Sequence, residues 1–387
     1  MKPEARLDFH SIDAKMTIKT EVGTTRQFVK ERFSMRHRLF AWMSALGVLT
    51  AAVLWLAVPV ASQAPRVQTT KGSVPAKAAM PWKAPRTADG QPDLQGVWNF
   101  STSTPLERPN DLGGKQVLTD EEAVEFSDRE AAKADHDKNP PADIVGNYNE
   151  FWYDGNKKVV GTKRTSLIVD PADGRIPSLT PEAQKRQQVA ADARRGVGPD
   201  EPTPGGWVED LGPGHLRVRC IMGFNSGPPM TPGAYNQNVQ LLQSPGYVVI
   251  LNEMIHNARI VPMDGRARGN IRQWVGDSRG RWEGETLVVD TRNFLRETAF
   301  NNGRTTASLH LVERFRRVDA DTLLYEFTVE DPSTWTRPWT AQITMAKSEQ
   351  PMYEYACHEG NHGLPGILAG ARANERAAEE AAKKGSR

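Results

Sequence analysis

The sequence predicts a mainly β protein with helical insertions, built on an antiparallel meander of about eight strands that forms a closed or partly closed barrel. Three observations predict it. From Gly246 to His358, eight apolar-rich runs follow one another: "GYVVILNEM", "ARIVPMD", "IRQWVGD", "ETLVVDTRNF", "LHLVERFRRV", "TLLYEFTVE", "WTAQITMA" and "PMYEYACH". The turns between them, such as "DAD", "DPS" and "KSEQ", are too short for crossovers, so neighbours run antiparallel. "LLYEFTVE" and "LHLVERF" alternate apolar with polar residues, as strands with one wet face do. A meander of this size disposes of its edges most fully by closing, which leaves room for a side-chain core or one small ligand.

The chain opens with a different grammar. Arg36-His37-Arg38 precedes a 22-residue, largely apolar run from Leu39 to Val60, followed by "ASQAP". A basic stub, an apolar run and small residues read as a secretory signal. The run is also long enough to hold an uncleaved chain in a membrane. Residues 1–64 are therefore a leader, with Met35 as a second candidate start. The expected location is periplasmic or secreted, with an inner-membrane tether through residues 39–60 as the alternative. Residues 65–92, rich in Pro, Ala, Lys and Thr, read as an extended linker.

Residues 93–245 mix elements. "DLQGVWNFS" is the first strand candidate. Thr119 with Glu122 three positions on makes a capping box, which starts a helix. "RTSLIVD" alternates as a strand and closes on the turn "PADG". Thr180 as N-cap, Pro181 at the first helical position and Gly196 beyond the end bracket a second helix. Residues 196–235 hold nine Gly and seven Pro, which denies them regular structure. A loop of that length in a compact protein is frequently functional. The meander occupies 246–365, and the alanine-rich 366–387 form a C-terminal helix.

Charge and composition narrow the partners. The 387-residue chain carries a net +2, but its first 64 residues hold nine Lys/Arg against five Asp/Glu, which leaves the rest at −2. So balanced a chain has no electrostatic case for nucleic acid or anionic membranes, and the expected partner is a small-molecule ligand. Membrane contact is expected only through an uncleaved anchor. Eight of the ten tryptophans lie after residue 64, which argues for a folded core. No nucleotide-binding glycine loop, haem-attachment motif or complete nucleophile triad occurs, so no cofactor is expected.

Gly96 and Trp98 in "QGVWNF" resemble the Gly-x-Trp first-strand signature of lipocalins and related calycins, whose tryptophan packs across one barrel end. "GRWEGETLVVDTRNF" and the meander after it are similar to lipocalin-like domains of exported bacterial proteins. The whole chain resembles exported soil-bacterial proteins of unassigned function, so this likeness implies a calycin-like barrel and no activity.

Several stretches carry candidate chemistry. "GDSRG" at 276–280 matches the esterase Gly-x-Ser-x-Gly elbow, but a strand follows where that elbow requires a helix, so Ser278 reads as part of a hairpin turn. In "NEMIHNAR", Glu253, His256 and Arg259 lie together. His256 is the best acid/base candidate because histidine titrates near neutrality, with Glu253 beside it if the chain turns there; a turn histidine bonded to backbone is the alternative. His310 and Glu313 in "LHLVERF" are an odd number apart, so only one faces inward. "RFRR" at 314–317 reads as a solvated face. In "STWTRPWT", Trp335, Arg337 and Trp339 alternate, and on one strand face they would make a platform for a sugar or aromatic ligand.

"YEYACHEGNHG" gathers Cys357, His358, Glu359 and His362. A metal site would need His358 and His362 plus further ligands, and the flanking glycines deny those two a helical spacing. A metal-dependent enzyme using His358 and His362 is carried only as an alternative, and no metal is assigned. In an oxidising compartment, the two cysteines of the mature region, Cys220 and Cys357, favour a disulfide. On the chain-entropy view, closing so long a loop stabilises by about 4–5 kcal/mol. The bond would hold Arg217 and Arg219 near His358 and Glu359, at the barrel opening. The expectation is an exported barrel that binds a sugar or aromatic molecule, with its transformation by acid/base chemistry left open. His256, His358, Glu359 and Glu253 are the catalytic candidates. Trp335, Arg337, Trp339, Arg259, Arg219 and His310 are the binding candidates. A non-catalytic binding or envelope protein is the alternative.

Overall fold

A computed structural model describes residues 82–134, 154, 157–193, 195, 216, 219–295 and 305–385. The leader, most of the linker and Arg217 lie outside the described residues. Among the described residues, no helix is long and apolar enough to cross a membrane; the run 39–60 lies outside them.

The architecture is mainly β. In chain order the elements are β1 (Gly96–Asn99), α1 (Asp120–Ala134), β2 (Ile168–Asp170), α2 (Pro181–Ala193), β3 (Asn238–Ser244), β4 (Tyr247–Asn252), β5 (Ala258–Pro262), β6 (Asp277–Glu283), β7 (Thr286–Arg292), β8 (His310–Arg317), β9 (Thr322–Glu330), β10 (Trp339–Ser348) and α3 (Gly363–Gly385). One antiparallel sheet runs β5-β4-β3-β1-β10-β9-β8-β7-β6, with β2 paired to the start of β10. The strand carrying Trp98 is not peripheral. It lies between β3 and β10, pairing Trp98 with Val239 on one side and Lys347 on the other.

The alternation expected in the sequence sets the two faces. In β9, Leu323, Tyr325, Phe327 and Val329 are buried, while Thr322, Leu324, Glu326 and Thr328 look outward. β10 buries Trp339, Ala341, Ile343 and Met345 in the same way. With Trp98, Phe100, Phe315 and Trp335, these side chains fill a single core. Burial of so much apolar surface is the main force holding the sheet. The hairpins β3–β4 and β6–β7 turn on two residues each, with Gly246 at φ +80 and Gly284 at φ +61, a backbone that favours glycine.

The hydrogen-bonded path does not close. Its ends are β5 and β6, and no ladder joins them among the described residues. The ends still meet: a Cβ on Gly280 of β6 would collide with the Sδ of Met263 and lie 2.9 Å from Cγ1 of Val261 in β5. The expectation is a closed or partly closed barrel; no ladder closes it among the described residues, and the chain between these strands lies against β6. Arg279 donates to the carbonyls of Arg266 (3.1 Å) and Ala267 (3.0 Å), and Arg268 donates to the Asp277 carbonyl.

Four segment readings are corrected. "NVQLLQS" forms β3, so the sheet begins before Gly246. β6 runs through the stretch from Ser278 expected to be turn, and Ser278 is a buried strand residue bonded to Thr291 (2.9 Å). "IRQWVGD" makes only an isolated bridge from Gln273 to Phe294 before β6 begins. "PMYEYACH" is not a strand: β10 ends at Ser348, and Tyr355 and Cys357 pack instead against the buried cluster of Cys220, Met254 and Ile255.

The helices start where their caps stand. Thr119 and Glu122 exchange both capping-box bonds, at 2.9 and 3.2 Å. Thr180 caps α2 through the Ala183 N–H (3.1 Å). α3 starts three residues before the expected Gly366. The glycine- and proline-rich loop penetrates the core: Met230 is buried, and its N–H donates to the Tyr325 hydroxyl (3.1 Å).

Candidate functional site

Three segments converge at one corner: the loop around Cys220, the 3-10 turn Met254–His256 between β4 and β5, and the stretch after β10 that carries Tyr355 and Cys357. Cys220 and Cys357 form a disulfide with Cα atoms 5.8 Å apart, across 137 positions of sequence. Cys220, Met254 and Ile255 are buried together, with Tyr235, Tyr355 and Cys357 packed around them. Three non-glycine residues here hold left-handed backbone: Cys220 (φ 55), Ile255 (φ 59) and His256 (φ 39). For a β-branched residue such as Ile255 that conformation costs free energy, and it persists only where surrounding packing enforces it.

The turn at 254–256 directs its side chains apart. Met254 and Ile255 go inward. Glu253 is buried and accepts from both the backbone N–H (3.2 Å) and the Nδ2 (2.9 Å) of Asn238. His256 goes outward and places Nδ1 3.1 Å from the Tyr355 carbonyl. A carbonyl only accepts, so Nδ1 bears the proton. In the neutral ring, Nε2 then carries the lone pair. The expected convergence of Glu253 with His256 is therefore not made, because Asn238 holds the carboxylate on the other side of the turn.

His358 and Glu359 lie on the exposed turn after Cys357, and His362 is exposed just beyond it. The disulfide brings their segment to His256, but among the described residues no hydrogen bond joins His256 to either side chain. Arg219 is exposed beside Cys220. Among the described residues, no group of three or more His, Cys, Asp and Glu side chains could hold a metal.

The tryptophan platform is corrected. Trp335 sits in a turn before β10, so the three residues do not share a strand face. Both indoles are buried and meet edge to face with centroids 5.7 Å apart. Arg337 points to solvent and pairs with Asp170 (2.6 Å). The pattern was real, but the rings serve the core, where their apolar area is removed from water.

Arg259 and Glu313 are a buried pair rather than a ligand clamp open to solvent. Nη1 donates to Oε2 at 2.6 Å and Nη2 to Oε1 at 2.8 Å. The Tyr325 hydroxyl also donates to Oε1 (2.8 Å). Burial pushes the Tyr325 pKa well up, and the Glu313 charge adds to it. Burial works against the Arg259 charge, but the Glu313 carboxylate more than offsets it and raises that pKa. An odd spacing could show that one of His310 and Glu313 faced inward; it could not name Tyr325 as the third member.

His310 takes the other face. Its Nε2 lies 2.8 Å from Asp290 Oδ2 on β7, and its Nδ1 lies 3.0 Å from Glu330 Oε2 on β9. The hydrogen bond to Asp290 raises the His310 pKa most; partial burial opposes it and Glu330 adds to it. Nearby, "RFRR" divides its work. Arg314 pairs with Glu283 (2.8 Å), whereas Arg317 lies over the Trp98 ring at 5.5 Å.

No family model, curated protein or solved structure matches this chain.

Proposed function

We propose that this is an exported, calycin-like protein that binds a small organic molecule, a sugar or an aromatic compound, at the disulfide-tied corner around His256. The observation that carries the reading is the His256 ring. Held by the Tyr355 carbonyl on a left-handed backbone, its neutral form presents the Nε2 lone pair outward as a hydrogen-bond acceptor or general base. Left-handed backbone at non-glycine residues is a cost that functional sites commonly carry. The disulfide supports export, since such bonds persist in oxidising compartments. His358, Glu359 and Arg219 supply further exposed polar groups on segments tied to the same corner. The approach of the sheet's end strands, β5 and β6, at Gly280 supports the calycin-like reading.

Binding without turnover is the second reading, and Glu253 favours it. With its carboxylate committed to Asn238, His256 has no acidic partner in contact. Nitrophenyl glycosides and nitrophenyl carboxylates, offered to wild type and to His256→Gln, test both readings. Turnover in wild type that disappears in His256→Gln supports acid/base chemistry. Binding with unchanged ligand mass, weakened in the variant, supports the second reading. Binding and turnover identical in the two proteins would place the site elsewhere.

A further inference from the structure

A groove of about 500 Å³ lies on the outer face of the sheet, across the ends of β1, β10 and β9. Its floor includes the outward residues Thr344 and Thr322. One wall is Ser101 with the segment Lys158–Gly161, and Asp319 of the β8–β9 turn closes another side. We infer that this groove is a second binding site, separate from the His256 corner, and that it takes a neutral polyhydroxylated ligand of one or two sugar rings.

The wall is rigid. The Lys158 carbonyl accepts from the Ser103 N–H (3.0 Å) and from the Thr102 hydroxyl (2.7 Å). The Val160 N–H donates to Thr104 Oγ1 (3.0 Å), and the Gly161 N–H donates to Thr344 Oγ1 (2.9 Å). Backbone fixed in this way loses little freedom when a ligand docks. The side chains are less committed. The Lys158 ammonium makes no ion pair or hydrogen bond among the described residues. The Thr322 hydroxyl is likewise unengaged, and Asp319 spends one carboxylate oxygen on the Asp321 N–H (2.8 Å). Thr344 accepts from Gly161 and keeps its own O–H to donate.

Two features of this lining select the ligand. One cation and one anion leave the groove without net charge, which favours a neutral molecule over a free acid or amine. Among the described residues its polar side chains are three hydroxyls, the Asn99 carboxamide, an ammonium and a carboxylate, which match the paired donors and acceptors of neighbouring sugar hydroxyls. Among the described residues no aromatic ring lines it, so they offer a flat aromatic ligand no stacking partner. The volume falls in the range of pockets that enclose small ligands.

Saturation-transfer NMR and calorimetry with glucose, maltose and myo-inositol test the site on the disulfide-bonded protein. At least one probe should bind wild type. Lys158→Met and Asp319→Asn should each weaken that probe by about tenfold, the scale of one lost charged hydrogen bond. Gly161→Phe is the filling variant: an added Cβ lies 3.7 Å from Thr344 Oγ1, an ordinary contact, and Gly161 lines the groove that the bulkier side chain is meant to fill. Binding should then disappear, while the melting temperature stays near that of wild type. Arg281→Gln, at an exposed pair with Glu283 outside both sites, should bind as wild type does. The inference is overturned if no probe binds, or if the groove variants bind unchanged. Loss of binding in His256→Gln with retention in the groove variants would move the sugar to the disulfide corner and equally overturn it.

Discussion

Arg259 and Glu313 meet as a two-pronged ion pair, with only 2% and 0% of their side chains exposed. They come from strands well separated in the sheet, β5 and β8. The Tyr325 hydroxyl extends the pair: it donates to Glu313 and accepts from the Met230 N–H of the long loop. A continuous polar chain thus runs through an apolar core from loop to far strand. Replacing Arg259 by Met leaves a buried carboxylate without its cation, at a cost of about 3–5 kcal/mol. Arg259→Met together with Glu313→Leu should recover much of that loss. Urea unfolding of the two variants checks it, and equal stability of single and double variants would show the pair to be uncoupled.

The disulfide closes a covalent loop across 137 positions of sequence. Cys220→Ala with Cys357→Ala should destabilise by about 2–5 kcal/mol. The damage should concentrate at the corner, because Met254 and Ile255 pack directly on Cys220. Hydrogen exchange should quicken at Ile255 and His256 before it does in β9. Uniform quickening across the sheet would contradict a local role.

His310 should titrate above its usual value of about 6.5. Its charged form is held by Asp290 and, more weakly, by Glu330. A raised folded pKa means that this stabilisation is complete below the unfolded value and fades as pH rises through the folded one. Stability should therefore fall on the alkaline side of that titration, and His310→Gln should flatten the change. NMR titration of the ring gives the pKa directly, and a value at or below the usual one would remove the basis for the effect.

Gly280 should accept no branched side chain. Val261 is a buried strand residue and cannot retreat, although the flexible Met263 can. Gly280→Val should cost about 1–3 kcal/mol by overpacking, read as a lowered thermal midpoint. Gly280→Ala should cost less, and equal costs would mean that the contact yields freely.

The sequence made the sheet legible wherever burial alternated along a strand, as in β8 and β9, and wherever a side chain capped a helix, as at Thr119 and Thr180. It failed where tertiary contacts decide. "NVQLLQS" looks no more strand-like than its polar surroundings until β1 and β4 are placed on either side of it. Trp335 and Trp339 have the spacing of a strand face, yet a turn intervenes and the core claims both rings. At the site, the pairing of Cys220 with Cys357 followed from count and compartment. The direction of Glu253 did not, because Asn238 is fifteen residues away and reaches it only through the β3–β4 hairpin. The groove at Lys158 gave no local signal, since its walls come from four separate stretches of chain.

Where β5 meets β6, the wall of this protein is sewn by side chains alone. Every other neighbouring pair of strands is knitted by main-chain bonds, which let go together or not at all. Val261 and Met263 against a bare glycine can separate contact by contact. Thermal or mechanical load applied to the sheet should therefore first open a slit along that line, exposing the buried face of Arg259 while the remaining strands keep their register.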